Sequence, residues 1–64
     1  MGSPTTPVIV EIPADIASIT RMNAEELKQE LAFALFARGK LSFGKARELA
    51  GFTIWDFQNE LGRR

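Results

Sequence analysis

The side chains of this 64-residue chain that could do chemistry lie mainly in its second half. The chain has no histidine and no cysteine, so the common acid–base, thiol and disulfide chemistries are absent. A zinc site would need carboxylates alone. Asp56 and Glu60 lie four residues apart on one face of a predicted helix, where a solvated acidic face is the simpler interpretation. We therefore expect no enzyme activity, no catalytic residue, no metal site and no cofactor.

The stretch LSFGKARELAGFT, Leu41 to Thr53, has the signals of two short helices joined by a turn. Ser42 and Thr53 are typical N-cap residues, and Gly51 is the residue type that ends a helix in a left-handed conformation. This order is typical of a helix-turn-helix, in which the second helix enters the major groove of DNA. Two interpretations stay open: a DNA-binding unit, or two helices that only pack together.

If the unit binds DNA, its polar residues fall into two groups. The candidates for phosphate contacts are Lys40, Ser42, Lys45, Arg47 and Arg63, and those nearest the bases are Thr53, Gln58 and Asn59. Asp56 and Glu60 would then face a polyanion. An outward Trp55 beside Asp56 is more typical of a protein interface. The alternative function is therefore an interaction module in which Trp55 and Asp56 bind a partner chain without DNA.

The charge balance hides an asymmetry between the two halves. The eight acidic and eight basic residues cancel. Residues 1–37 carry two bases and five acids, whereas residues 38–64 carry six bases and three acids. A basic half indicates an anionic partner, although a difference of this size also arises by chance in a short chain.

Three segments predict helices, at about 24–38, 43–50 and 54–61. Their predicted N-caps are Asn23, Ser42 and Thr53, and their predicted stop signals are Gly39, Gly51 and Gly62. Residues 14–22 predict a loop with one possible turn. The chain is expected to be a single small domain over residues 8–64, after a flexible lead at residues 1–7.

The segment VIVEI at residues 8–12 predicts a short strand, because it is mostly β-branched and lies between Pro7 and Pro13. The sequence contains no second strand to pair with it, so its simplest partner is the same strand of a second copy. This intersubunit ribbon would place Val8, Ile9, Val10 and Ile12 in a dimer interface. An extended arm that docks on its own helices is the alternative.

The first long helix is apolar on two sides. Its core stripe is predicted at Leu27, Leu31, Ala34 and Leu35, while Phe33 and Phe36 point elsewhere and are predicted to contact a second subunit. The predicted fold is therefore a mainly α homodimer with an N-terminal β-strand followed by three helices, the last two a helix-turn-helix. No apolar run approaches the length of a membrane span and no signal peptide is evident, so we expect a soluble, cytoplasmic protein.

The stretch ELAFALFARGKLSFGKARELAGFTIWDFQNELG, Glu30 to Gly62, is similar to a family of small uncharacterised prokaryotic proteins of UPF type. These are helix-turn-helix proteins described as antitoxin-like, among them VapB-like antitoxin candidates. The matching positions are Arg38–Leu41, Gly44–Ala46, Glu48–Gly51, Trp55, Phe57 and Leu61, and VIVEIPADI resembles the opening strand of the family.

The resemblance implies an antitoxin-like regulator that represses its own operon and neutralises a partner toxin, such as a PIN-domain ribonuclease. Arg47 stands where the family usually has a small residue, and Ile54 where it usually has a basic or polar one. Family members commonly continue beyond the position of Arg64 with a tail expected to contact the toxin.

Overall fold

The computed structural model describes residues 6–64, and this part of the chain is mainly α, as predicted. It has four helices: α1 (Ala14–Thr20), α2 (Ala24–Ala37), α3 (Phe43–Ala50) and α4 (Ile54–Arg63). The last three lie within two residues of their predicted bounds. Residues 1–5 of the predicted flexible lead lie outside the described residues. Between residues 6 and 64, no helix is both long and apolar enough to cross a lipid bilayer.

The predicted N-terminal strand is wrong. Residues 7–13 form neither helix nor strand, and residues 6–64 contain no strand at all. The β-branched composition favours extended backbone, but a strand also needs a partner for its backbone hydrogen bonds, and residues 6–64 contain no second strand that could supply one. The side chains of Val8, Ile9 and Val10 are 89%, 84% and 73% exposed. The ribbon that was to join two subunits therefore has no strand to form it.

The segment predicted as a loop after Pro13 is helical instead. Helix α1 starts after Pro13, which occupies the N-cap position, and carries Asp15 in its first turn, where a carboxylate interacts favourably with the helix dipole. It ends at Arg21 in a left-handed conformation with φ of 56°. Ala17 N–H donates to Pro13 O at 2.9 Å, so the helix begins directly after Pro13 in spite of the weak helix propensity of its isoleucine and threonine residues. No residue of α1 is buried.

The predicted caps are confirmed at all three N-termini. Asn23 and Glu26 form a capping box: Glu26 N–H donates to Asn23 Oδ1 at 2.8 Å, and Asn23 N–H donates to Glu26 Oε1 at 3.0 Å. The hydroxyl of Ser42 accepts from the backbone of α3 at 3.2 Å, and that of Thr53 accepts from α4 at 3.1 Å. These bonds satisfy backbone donors that a helix leaves unpaired at its start.

Two of the three predicted glycine stops are confirmed. Gly39 and Gly51 have φ of 72° and 73°, and each is followed by an amide that donates back to the helix it ends. Lys40 N–H donates to Leu35 O at 2.9 Å, and Phe52 N–H donates to Arg47 O at 3.1 Å. This is the Schellman pattern. The stop predicted at Gly62 is wrong, because α4 continues through that residue to Arg63.

The core is an aromatic cluster centred on Phe57 of α4, which is fully buried. Its ring is parallel to that of Phe33 on α2, with a centroid distance of 4.6 Å and an interplanar angle of 3°. Phe43 meets it edge-on at 5.2 Å, Phe36 edge-on at 5.8 Å and Phe52 at 6.4 Å. The other four of the five phenylalanines of the chain therefore pack on the ring of Phe57. Small alanines (Ala32, Ala46 and Ala50) fill the buried space between the helices.

The assignment of the two apolar sides of α2 was wrong. The buried residues of α2 are Ala32 and Phe33, while Leu31 of the predicted core stripe is 46% exposed and Ala34 is exposed. The spacing of apolar residues identifies the apolar faces of a helix, but it does not determine which of these faces is buried against the aromatic cluster. Phe33 and Phe36 lie in the core of their own subunit, so they are not a free face for a second one.

The end of α4 is tied back to α2 by Arg64. Its guanidinium donates a hydrogen bond to the Glu30 carboxylate and lies 3.9 Å from the centre of the Phe33 ring. An arginine over an aromatic face contributes a cation–π attraction. This contact joins the last residue of the chain to the ring that Phe57 stacks on.

We predict that Phe57→Ala destabilises the fold by about 3–5 kcal/mol, the usual cost of emptying a buried aromatic site. A chain of this size has a total stability of roughly 3–10 kcal/mol, so the variant should lose a large part of it. Trp55→Ala, two residues away but 74% exposed, should change the stability by less than about 0.5 kcal/mol. Urea denaturation followed by circular dichroism measures both; similar losses in the two variants would contradict this description of the core.

Candidate nucleic-acid interface

Three local features fix the conformation of the α3–turn–α4 unit. Ser42 caps the start of α3, Gly51 reverses the chain in a left-handed conformation, and Thr53 caps the start of α4. Between them, Phe52 is half-buried against the aromatic cluster. The turn is therefore fixed both by backbone hydrogen bonds and by an apolar anchor, and the outer face of α4 has a defined position relative to α3.

Arg47 is built into this turn rather than displayed on its surface. It is half-buried, and its Nη1 donates to the carbonyl of Phe52 at 3.4 Å, across the turn. Its Nε is buried and has no hydrogen-bond partner. A buried donor without a partner costs about 1–3 kcal/mol. The guanidinium predicted to hold a phosphate thus lies against the backbone that connects the two helices.

The other predicted phosphate-binding bases are on the surface. The Lys45 side chain is 70% exposed and pairs with Glu48 at 3.4 Å, and that of Arg63 is 77% exposed and pairs with Glu60 at 3.3 Å. Exposed pairs of this kind are worth up to about 1 kcal/mol, so a phosphate could replace either carboxylate at small cost. Lys40 is exposed in the segment that joins α2 and α3.

The residues predicted nearest the bases are exposed along α4. Gln58 and Asn59 follow the buried Phe57 and lie on the outer side of the helix. The oxygens of Ser42 and Thr53 already accept hydrogen bonds from the helix backbone. Their hydroxyl protons remain available as donors to a phosphate.

An apolar patch begins the same helix. Ile54 is 53% exposed and Trp55 is 74% exposed, and Asp56 beside them is also exposed. Large exposed apolar side chains next to one another are the usual mark of a protein contact. The unit therefore presents two kinds of surface, a polar one with lysines and amides and an apolar one around Trp55.

The structure shows two features that the sequence did not point out. One is the contact of Arg64 with Glu30 and Phe33 described above. The other is an open groove of 830 Å³ that is lined mainly by aliphatic residues, among them Val8, Val10, Ile12, Leu27, Leu31 and Leu49. The alternation of Val8, Val10 and Ile12 was a usable signal for it. No cluster of three or more His, Cys, Asp or Glu side chains that could hold a metal ion occurs within residues 6–64.

Comparison with known proteins identifies the family. The model of a family described as "Uncharacterised protein family (UPF0175)" matches residues 5–64, which is nearly the whole chain. The chain belongs to the UPF0175 family. Membership in a small uncharacterised prokaryotic family, expected from the residues between Glu30 and Gly62, is thereby confirmed.

One UPF0175 relative shows how much of such a protein this chain covers. A UPF0175 protein of Aeropyrum pernix is 34% identical over 56 residues, which are 88% of this chain and 63% of that protein. This UPF0175 chain thus spans less than two thirds of the relative's length. No solved structure matches the chain significantly.

We predict opposite effects of alanine at two glycines of this unit. Gly51→Ala should cost about 1–2 kcal/mol, because φ of 73° is unfavourable for a residue with a Cβ even though nothing lies within 4 Å of the new atom. Gly44→Ala, inside α3 with equally open space, should stabilise by up to about 1 kcal/mol. The midpoints of urea denaturation report both changes. A shift of the same sign in the two variants would rule out the left-handed turn.

Proposed function

We propose that this UPF0175 chain is a DNA-binding regulator of the antitoxin type, which contacts duplex DNA through α3 and α4. The observation that supports the proposal is the α3–turn–α4 unit: two capped helices joined by a three-residue turn, with amide side chains exposed along the second. In DNA-binding helix-turn-helix proteins the second helix of such a pair lies in the major groove.

In this proposal Lys40, Lys45 and Arg63 contact phosphates, and Gln58 and Asn59 lie nearest the bases, where amides can pair with adenine. The hydroxyls of Ser42 and Thr53 donate to backbone phosphates beside the helix starts. Arg47 acts as a positioning residue that supports the turn through the Phe52 carbonyl. This role differs from the phosphate contact expected from its charge alone.

The charges of α4 set the strength of the binding. Asp56 is exposed at the start of the helix, and Glu60 pairs with Arg63. Since the chain has no net charge, non-specific attraction to DNA is small. We therefore propose weak binding by one copy, with affinity that depends on a few localised contacts.

The wider role follows the family resemblance. The chain would neutralise a partner toxin such as a PIN-domain ribonuclease and repress the operon that encodes both, in the cytoplasm and without a catalytic activity of its own. Since the chain spans 63% of its Aeropyrum relative, the toxin contact is assigned to the whole protein and not to a particular helix of this chain.

The test of DNA binding is a titration of fluorescently labelled generic duplex DNA at 50 and 200 mM salt. Affinity should fall with salt, since each phosphate contact contributes about 0.9 to the slope of log affinity against log salt. The Lys40→Gln/Lys45→Gln variant should lower that slope by about 2. Lys28→Gln is the matched control, because Lys28 is an exposed lysine on α2. Absence of binding at 50 mM salt, or an equal effect of Lys28→Gln, would overturn the proposal.

The exposed Ile54 and Trp55 favour a second function, docking of a partner protein on the start of α4. Trp55 is the single tryptophan of the chain, so its fluorescence reports directly on this patch. We expect a blue shift of its emission when the purified product of the neighbouring reading frame, freed of tryptophan by mutation, is added. Unchanged emission in a mixture whose components co-sediment would place that contact elsewhere.

A further inference from the structure

The N-terminal third of the described chain exposes an unusual amount of aliphatic surface. We define the N-terminal apolar surface as seven aliphatic residues that are between 42% and 89% exposed: Val8, Ile9, Val10, Ile12, Ile16, Ile19 and Leu31. Monomeric soluble proteins seldom leave more than a few hundred Å² of contiguous apolar surface uncovered. A surface of this kind indicates a partner.

Part of this surface lines the 830 Å³ groove. Val8, Val10 and Ile12 line it together with Leu27 and Leu31 of α2. Ile9 does not line the groove, although it lies between two residues that do, and it is 84% exposed. Ile9 is thus an exposed aliphatic side chain beside the groove that does not belong to its lining.

We propose that a second copy of this chain covers the N-terminal apolar surface, with Ile9 of each copy packed into the groove of the other. Because the groove and Ile9 belong to the same surface, one two-fold axis satisfies both contacts at once, as an isologous interface requires. The contact is made by side chains and involves no strand pairing.

The exposed area of the N-terminal apolar surface is of the size that a second copy of the chain would cover. The seven residues together expose on the order of 700 Å², close to the roughly 800 Å² that each partner buries in a standard stable interface. Within residues 6–64 the subunit buries five hydrophobic residues (Ala32, Phe33, Ala46, Ala50 and Phe57), and this part of the chain has no disulfide or metal cluster to reinforce that core. Small domains with little core commonly gain stability by oligomerising.

Sedimentation equilibrium of the full chain tests the proposal. We expect twice the monomer mass of 7.1 kDa at 100 μM. Ile9→Asp should weaken association at least about 100-fold, because a carboxylate would be buried against leucines. Ile9 lies outside every helix, so Ile9→Asp should leave the fold of the subunit unchanged. The helical content measured by circular dichroism should therefore equal that of the unsubstituted chain. Ala37→Asp, which places the same carboxylate at an exposed position at the end of α2, outside the N-terminal apolar surface and the groove lining, is the matched control and should leave association unchanged within about two-fold.

A second measurement locates the interface. Since the chain has no cysteine, a spin label attached through Thr6→Cys is site-specific. In a mixture of spin-labelled chain and isotopically labelled chain, the methyl signals of Leu27 and Leu31 should broaden. A 7.1 kDa species at 100 μM, a dimer that survives Ile9→Asp, or absence of this broadening would each overturn the proposal. DNA binding by a monomer would leave the proposed function intact, so the two failures are distinguishable.

Discussion

The stacking of Phe57 on Phe33 is the contact on which the rest of the structure depends. It joins α4 directly to α2, and the other three phenylalanine rings pack against Phe57 within 6.4 Å. Aromatic rings bury large areas and prefer parallel-offset or edge-on contacts, so a few of them define helix positions closely. Arg64, over the Phe33 ring, adds a polar tie at the end of α4. A chain without cysteine has few other means of holding three short helices together.

The burial of Phe33 and Phe57 in this core determines which other side chains of α2 and α4 are exposed. Because Phe33 faces inward, the leucines on the other side of α2 face outward, and they form a groove with the segment after Pro7. Because Phe57 faces inward, Trp55, Gln58 and Asn59 face outward along α4. The two candidate surfaces of the molecule are thus the reverse sides of the two helices that meet in the core. They differ in chemistry: the first is aliphatic, and the second combines amides and charges with one exposed indole.

Arg47 shows how local structure changes the meaning of a charge. In the sequence it belongs to the basic second half of the chain and resembles a phosphate ligand. In the structure its guanidinium donates to the Phe52 carbonyl, and its Nε is buried without a partner. The long side chain of Arg47 reaches across the turn that joins α3 and α4. Its guanidinium therefore supports the geometry of α3 and α4 and is not displayed on their outer surface.

The sequence by itself determined the elements whose signals are local. Hydrogen bonds between residues a few positions apart determine the N-caps at Asn23, Ser42 and Thr53 and the glycine stops at Gly39 and Gly51. The bounds of α2 and α3 follow from the same local signals. The sequence also establishes that the chain belongs to the UPF0175 family. Only the tertiary structure decided the long-range questions: that the segment at Val8 has no strand partner, that α2 buries Phe33 instead of Leu31, and that Arg47 supports a turn. Each of these depends on which groups distant in the chain meet, and neither residue spacing nor composition contains that information.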